Sequence, residues 1–121
     1  MSRIAVKAEH RALPTEALEL VADRFRVLGE ANRLRLIQSL DGGERCVGEL
    51  TELTGLTQAN VSRHLQTLTG AGILKRRKEG LNVYYSVADP EIFNLCEHVC
   101  GSLEQRIESH ARAFSGRRAG A

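Results

Sequence analysis

The sequence predicts a mainly α fold closed by a small β-hairpin, in the order ααααββα, and three observations carry that prediction. Apolar residues recur at three- and four-residue steps in the first part of the chain and again in its last part. Breaks at Gly29, Asp41-Gly42-Gly43, Gly55 and Gly70 divide these stretches into separate helices. Between the fourth and last of them the period changes. Ile73 to Lys78 and the β-formers Val83-Tyr84-Tyr85-Ser86-Val87 flank Glu79-Gly80-Leu81-Asn82, which reads as a hairpin.

The elements follow in order. Pro14 and Thr15 open a first helix on which Leu18, Val21, Ala22, Phe25 and Leu28 form one face. Asn32 to Leu40 carries Leu34, Ile37 and Leu40 at a second helical period. A short third helix begins near Cys46, with Val47, Leu50 and Leu53, and stops at Thr54-Gly55. Thr57 is a good N-cap for the fourth, Gln58 to about Thr69, whose Val61, Leu65 and Leu68 point inward. Pro90 suits the first turn of a last helix, which runs to about Phe114 with the stripe Ile92, Cys96, Val99, Cys100, Leu103, Ile107, Ala111 and Phe114.

At 121 residues the chain has room for one core. The expected organisation is an N-terminal arm (1–13), one domain (14–114) and a basic tail (115–121). Apolar residues at 42% and charged residues at 26% suit a folded globular protein. A net charge of +2 says little about a polyanionic partner, so the distribution of charge decides. Neither a signal-peptide pattern nor a long apolar run stands in the sequence, so a cytoplasmic protein without a membrane segment is expected. Three widely spaced cysteines argue for reactive or buried thiols rather than a disulfide framework.

Helices three and four, joined through Gly55, have the spacing of a helix-turn-helix, whose second helix enters the major groove. With its apolar face turned inward, the fourth helix offers Thr57, Gln58, Ala59, Asn60, Ser62, Arg63 and His64 to double-stranded DNA. Gln and Asn pair with adenine, Arg with guanine, and hydroxyls with bases or phosphate. Lys75, Arg76, Arg77 and Lys78 follow on the hairpin, and some of them should reach phosphate. A polar helix face or a charge run alone is usually just solvated surface. Their order, a turn-linked helix pair and then a basic hairpin, is that of a winged helix-turn-helix.

Several runs resemble the ArsR/SmtB family of repressors: Gly29-Glu30-Ala31-Asn32-Arg33-Leu34-Arg35-Leu36-Ile37, Cys46-Val47-Gly48-Glu49-Leu50, Thr57 to Leu65, and Gly80 to Val87. The resemblance covers about residues 15–114. It implies a homodimer built from the first and last helices, operator reading by the fourth, and derepression when a metal, metalloid or thiol-reactive signal binds. The apolar stripes of the first and last helices, more than so small a core can easily bury, support a dimer independently. Paired subunits would read an inverted repeat. No cofactor is required for DNA binding in this reading.

The sensing candidates are Cys46, Cys96 and Cys100. Cys96 and Cys100 lie one helical turn apart, with Cβ atoms about 5–6 Å from each other. Cys46 lies at a helix start, where the helix dipole favours a thiolate. Family members often bind arsenite or soft metals through a Cys-Val-Cys pair at that point, but here Gly48 replaces the second cysteine. The family's zinc site on the last helix is also incomplete: Asp89 and Glu91 are present, but Ser102 and Gln105 stand where the partner ligands are expected. His98 and His110 are read as surface residues. Soft As(III), Cd(II), Pb(II) or Zn(II) therefore compete with persulfidation or oxidation of the pair, and an iron–sulfur cluster would need a fourth ligand or a shared site. Core packing of Cys96 and Cys100 is the plain alternative.

Two rival functions stand beside DNA binding. An enzyme could be built on Ser62 with His64, or His98 with Cys100, but neither pair has an evident oxyanion site or orienting acid. A winged helix used as a protein-interaction module is the other, and steep salt dependence would separate it from a DNA binder.

Overall fold

A computed structural model describes residues 12–120, with side chains as far as Ala113. Among the described residues the elements are α1 (Thr15–Leu28), α2 (Ala31–Ser39), β1 (Arg45–Cys46), α3 (Val47–Thr54), α4 (Gln58–Gly70), β2 (Leu74–Glu79), β3 (Asn82–Val87) and α5 (Glu91–Gly120). The expected helices and hairpin are all present, with one addition. β1 pairs antiparallel with β3, Arg45 opposite Tyr85 and Cys46 opposite Tyr84, so the hairpin becomes a three-stranded sheet ordered β1-β3-β2. Two residues are too few for alternation to show, and their partner strand is remote in the chain. The last helix also runs past its expected end near Phe114, through most of the stretch expected as a tail. Most of the expected arm, residues 1–11, lies outside the described residues.

Local chemistry accounts for the breaks. Glu30 Oε1 accepts the Asn32 N–H at 3.0 Å and starts α2. Glu49 Oε1 reaches back to the Cys46 N–H at 3.0 Å and starts α3. Gly55, at φ 74°, takes the left-handed conformation that ends α3. Thr57 Oγ1 accepts the Asn60 N–H at 3.2 Å and starts α4. Gly80, at φ 62°, is the first residue of the two-residue loop that Glu79↔Asn82 pairing closes, a position that favours glycine. Asp89 Oδ1 accepts the Glu91 N–H at 3.2 Å, so this carboxylate serves the start of α5.

The core gathers Leu36, Ile37, Leu50, Val61, Leu65, Leu68 and Ile73, all nearly inaccessible. Val61, Leu65 and Leu68 face inward as expected. Leu34 and Leu53 do not: they are 39% and 55% exposed, because Leu36 and Leu50 set the buried faces of their short helices instead. α1 and α5 give the core one fully buried side chain each, Leu28 and Ile92, with Val27, Phe93 and Leu95 partly buried against it. The rest of their apolar stripes, Leu18, Val21 and Phe25 on α1 and Val99, Leu103 and Ile107 on α5, is exposed. Tyr85 packs against the core, so of the two adjacent tyrosines it is the packing one.

Candidate nucleic-acid interface

Burial along α4 selects the face that looks outward. Gln58, Ala59, Arg63 and Gln66 are exposed, and Asn60 and Ser62 partly so. Thr57 holds the head of the helix, its oxygen committed to the Asn60 amide. Arg63 Nη2 donates to Asn60 Oδ1 at 2.8 Å, so two groups able to read base edges are pre-oriented side by side. Gln66 joins this face beyond the residues expected from the sequence. It lies one turn beyond Ser62 and two beyond Gln58, and extending the helical period from those residues reaches it.

His64 departs from expectation. It is only 6% exposed, so it is neither a phosphate ligand nor a surface residue. Its ring lies between Glu30 and Arg33, with Nε2 3.1 Å from Glu30 Oε2 and Nδ1 accepting from Arg33 Nε at 3.3 Å. At one position in α4, therefore, a polar residue sits on the inner face because α2 supplies its partners. The same burial removes His64 as a base for Ser62.

Arg77 has partners that the sequence does not show. In β2, Lys75 and Arg77 point to one face and Arg76 and Lys78 to the other, following strand alternation. The Arg77 guanidinium lies 4.8 Å from the centroid of the Tyr84 ring opposite it. It also grips both Glu44 oxygens, at 2.6 and 3.2 Å, and bonds Glu79. These bonds hold the Glu44 carboxyl below the usual carboxylate range, first through the hydrogen bonds from Arg77 and then through its charge and that of Lys75. Arg77 thus ties the hairpin to the segment before β1 while its side chain stays about half exposed. Arg76 and Lys78 are exposed and form no ion pair among the described residues. Replacing Arg76 or Lys78 with Ala is expected to weaken binding to all duplexes alike. The slope of log K against log[salt] should shrink by about 0.9 for each phosphate that is no longer neutralised. Titration at several salt concentrations checks this, and a changed sequence preference with an unchanged slope would contradict it.

The three cysteines do not gather. Cys46 lies in β1 at the head of α3, whereas Cys96 and Cys100 line a groove of about 510 Å³ between α2 and α5, with Leu34 and Phe93. Among the described residues no three Cys, His, Asp or Glu side chains cluster as a metal would require, so a three-sulfur site within one chain does not assemble. Within a single chain the pair is not part of the core, since Cys96 is half-buried and Cys100 exposed. The Cys100 thiol donates to Glu104 Oε1 at 3.3 Å. That bond and the Glu104 charge push the thiol up from its usual range, with smaller contributions from burial and Glu97. Near neutral pH Cys100 therefore holds less thiolate than a free thiol. Glu104→Gln is expected to raise the alkylation rate of Cys100 by iodoacetamide severalfold at pH 8, read by peptide mass spectrometry. An unchanged rate would mean that the Glu104 contact does not control the thiol.

A capped polar helix carried on a glycine-turned pair, followed by a basic hairpin, defines a winged helix-turn-helix regulator. The profile described as "Bacterial regulatory protein, arsR family" matches residues 30–76, which run from the start of α2 into the wing. The chain belongs to this family, the ArsR/SmtB regulators. It is 32% identical over 96 residues to the arsenical resistance operon repressor of Bacillus subtilis, covering 78% of this chain and 91% of that one. The crystal structure of the AntR antimony-specific transcriptional repressor superposes with a TM-score of 0.70 at 30% identity, over 81% of this chain and 90% of AntR. The homodimeric winged helix-turn-helix domain of Mb0332 from Mycobacterium bovis does so at 0.68 and 29%, over 77% and 86%. The chain is a DNA-binding transcriptional regulator and not an enzyme. No helix among the described residues is long and apolar enough to cross a membrane.

Proposed function

We propose that two copies of this chain, each contributing a unit of about residues 14–114, hold an inverted-repeat operator as a cytoplasmic homodimer. They repress transcription and release the DNA when a thiol-directed inducer reaches Cys96 and Cys100. The observation that carries the reading is the pair of uncovered apolar stripes on α1 and α5, which flank the DNA-reading unit. A two-fold interface covering both would place two copies of α4 on successive major-groove faces. The homodimeric state of the M. bovis domain supports it. In each half-site, Gln58, Ala59, Asn60, Ser62 and Arg63 read base edges, while Thr57, Arg76 and Lys78 hold phosphates.

Trivalent arsenic is the favoured inducer, supported by the arsenical and antimony repressors similar to this chain. Thiolates suit it, and a reducing compartment keeps them available. A single chain supplies only two neighbouring sulfurs, so a closed donor set would draw on both copies of α5. The experiment is a titration of the reduced dimer on its own promoter DNA with arsenite, Cd(II), Pb(II), Zn(II), persulfide and peroxide. Arsenite should release the wild type, and the Cys96→Ser/Cys100→Ser variant should stay bound at every dose, whereas Cys46→Ser should respond like wild type. Release of the double variant at the wild-type dose would place the sensor elsewhere. Binding insensitive to salt would remove the DNA reading itself.

A further inference from the structure

His64 is the one buried polar or charged side chain among the described residues. It stands in the middle of α4, the helix proposed to read the operator. A guanidinium can only donate, so the bond from Arg33 Nε requires a bare Nδ1. The ring proton then falls to Nε2, which lies 3.1 Å from Glu30 Oε2, a buried oxygen that accepts no hydrogen bond and faces the ring as a close charged neighbour. Both partners have a second attachment. Glu30 Oε1 accepts from the Asn32 amide at the head of α2. Arg33 Nη1 donates to the Val27 carbonyl, in the last turn of α1, at 2.9 Å. One imidazole thus joins the end of α1, the start of α2 and the centre of α4.

We infer that Glu30, Arg33 and His64 form the joint that sets the angle of α4 against α1. Arg33 and His64 are then positioning residues for operator recognition, although neither reaches DNA. The inference rests on the dimer-on-DNA reading above. Val61, Leu65 and Leu68 hold α4 onto the core, but apolar contact has little directional preference. Hydrogen bonds are directional, so the one from Arg33 to His64, with Glu30 close against the other edge of the same ring, fixes the rotation and tilt that packing leaves soft. In a dimer the stripe of α1 would be seated against the partner, which makes α1 the reference from which each α4 is aimed. A small error in that aim is doubled between two half-sites of fixed spacing.

The test compares wild type with His64→Leu, which keeps bulk but no polar atom, with Arg33→Lys, which keeps charge but loses the two-point grip, and with their combination. Each is titrated on a duplex that the wild type selects from a random pool and on a scrambled duplex of equal length. Sedimentation and thermal melting accompany the titrations. Each single change should lower the selected-to-scrambled affinity ratio about tenfold, within the range of coupling in one hydrogen-bonded network. The scrambled affinity and the dimer mass should not move, and the combined variant should lose no more than the worse single. In wild type at neutral pH, imidazole nitrogen NMR should show Nε2 protonated and Nδ1 bare. If His64→Leu fails to fold, Arg33→Lys and His64→Gln decide, with Gln restoring part of the ratio through a donor near Nε2. An unmoved ratio, additive losses, or equal losses on both duplexes that track the melting temperature would overturn the joint. A wild type with no preference for any selected duplex would overturn the DNA reading and the joint with it, whereas wild-type preference with unmoved variants overturns the joint alone.

Discussion

A chain carrying Leu103→Glu and Ile107→Glu is expected to be a folded monomer that has lost most of its hold on operator DNA. Both side chains are more than half exposed on α5 and lie outside the core cluster, so their replacement costs the single chain little. In a dimer through α1 and α5 the same positions would be buried. Each Leu or Ile there contributes about 1.5–3 kcal/mol of apolar burial. Four carboxylates would then have to be desolvated at one interface, which is far more costly than the missing apolar burial alone. Without the second half-site, the gain from linking two binding units disappears, a factor of about 10²–10⁴ in affinity. Sedimentation equilibrium and a filter-binding titration read the two effects together. A dimer of unchanged mass and affinity would mean that the chains meet on another surface.

Arg63→Ala is expected to produce the other large loss, confined to specific DNA. Arg63 projects from the exposed face of α4 and is steadied by Asn60 at 2.8 Å. A guanidinium held in that way can take the two acceptors of a guanine edge, an interaction of about 1–3 kcal/mol. A symmetric dimer loses it twice, so roughly 2–6 kcal/mol should disappear from operator binding. Binding to a scrambled duplex should fall much less, because Arg76 and Lys78 on the wing remain. Competition between labelled operator and scrambled DNA gives the ratio. Equal weakening on both would assign Arg63 to phosphate.

Leu34 and His64 show what separates the two levels of description. The hydrophobic periods, the glycine breaks and the change of period before Ile73 were enough to give every helix and the hairpin, because amphipathic segments reveal their length and inner face locally. They also marked α4 as the candidate reading helix, since Val61, Leu65 and Leu68 leave only one face for Gln58, Asn60 and Arg63. Leu34 fits the same period and yet is exposed, because a nine-residue helix can turn either of two neighbouring apolar rows inward, and the neighbours it meets choose between them. β1 escaped because two residues carry no period of their own.

The site divides in the same way. The chain by itself determined the class of protein, the wing and the pairing of Cys96 with Cys100, all of which depend on residues near one another in sequence. Only the tertiary structure decided that His64 is an internal ligand of Glu30 and Arg33, that Arg77 is tied to Glu44 and Tyr84, and that Cys46 stands apart from the other thiols. A polar side chain's role depends on whether a partner waits where it points, and both partners of His64, like the Glu44 partner of Arg77, come from segments more than thirty residues away. Periodicity records which face a residue occupies, whereas hydrogen-bond partners and charge neutralisation arise only when distant segments are brought together.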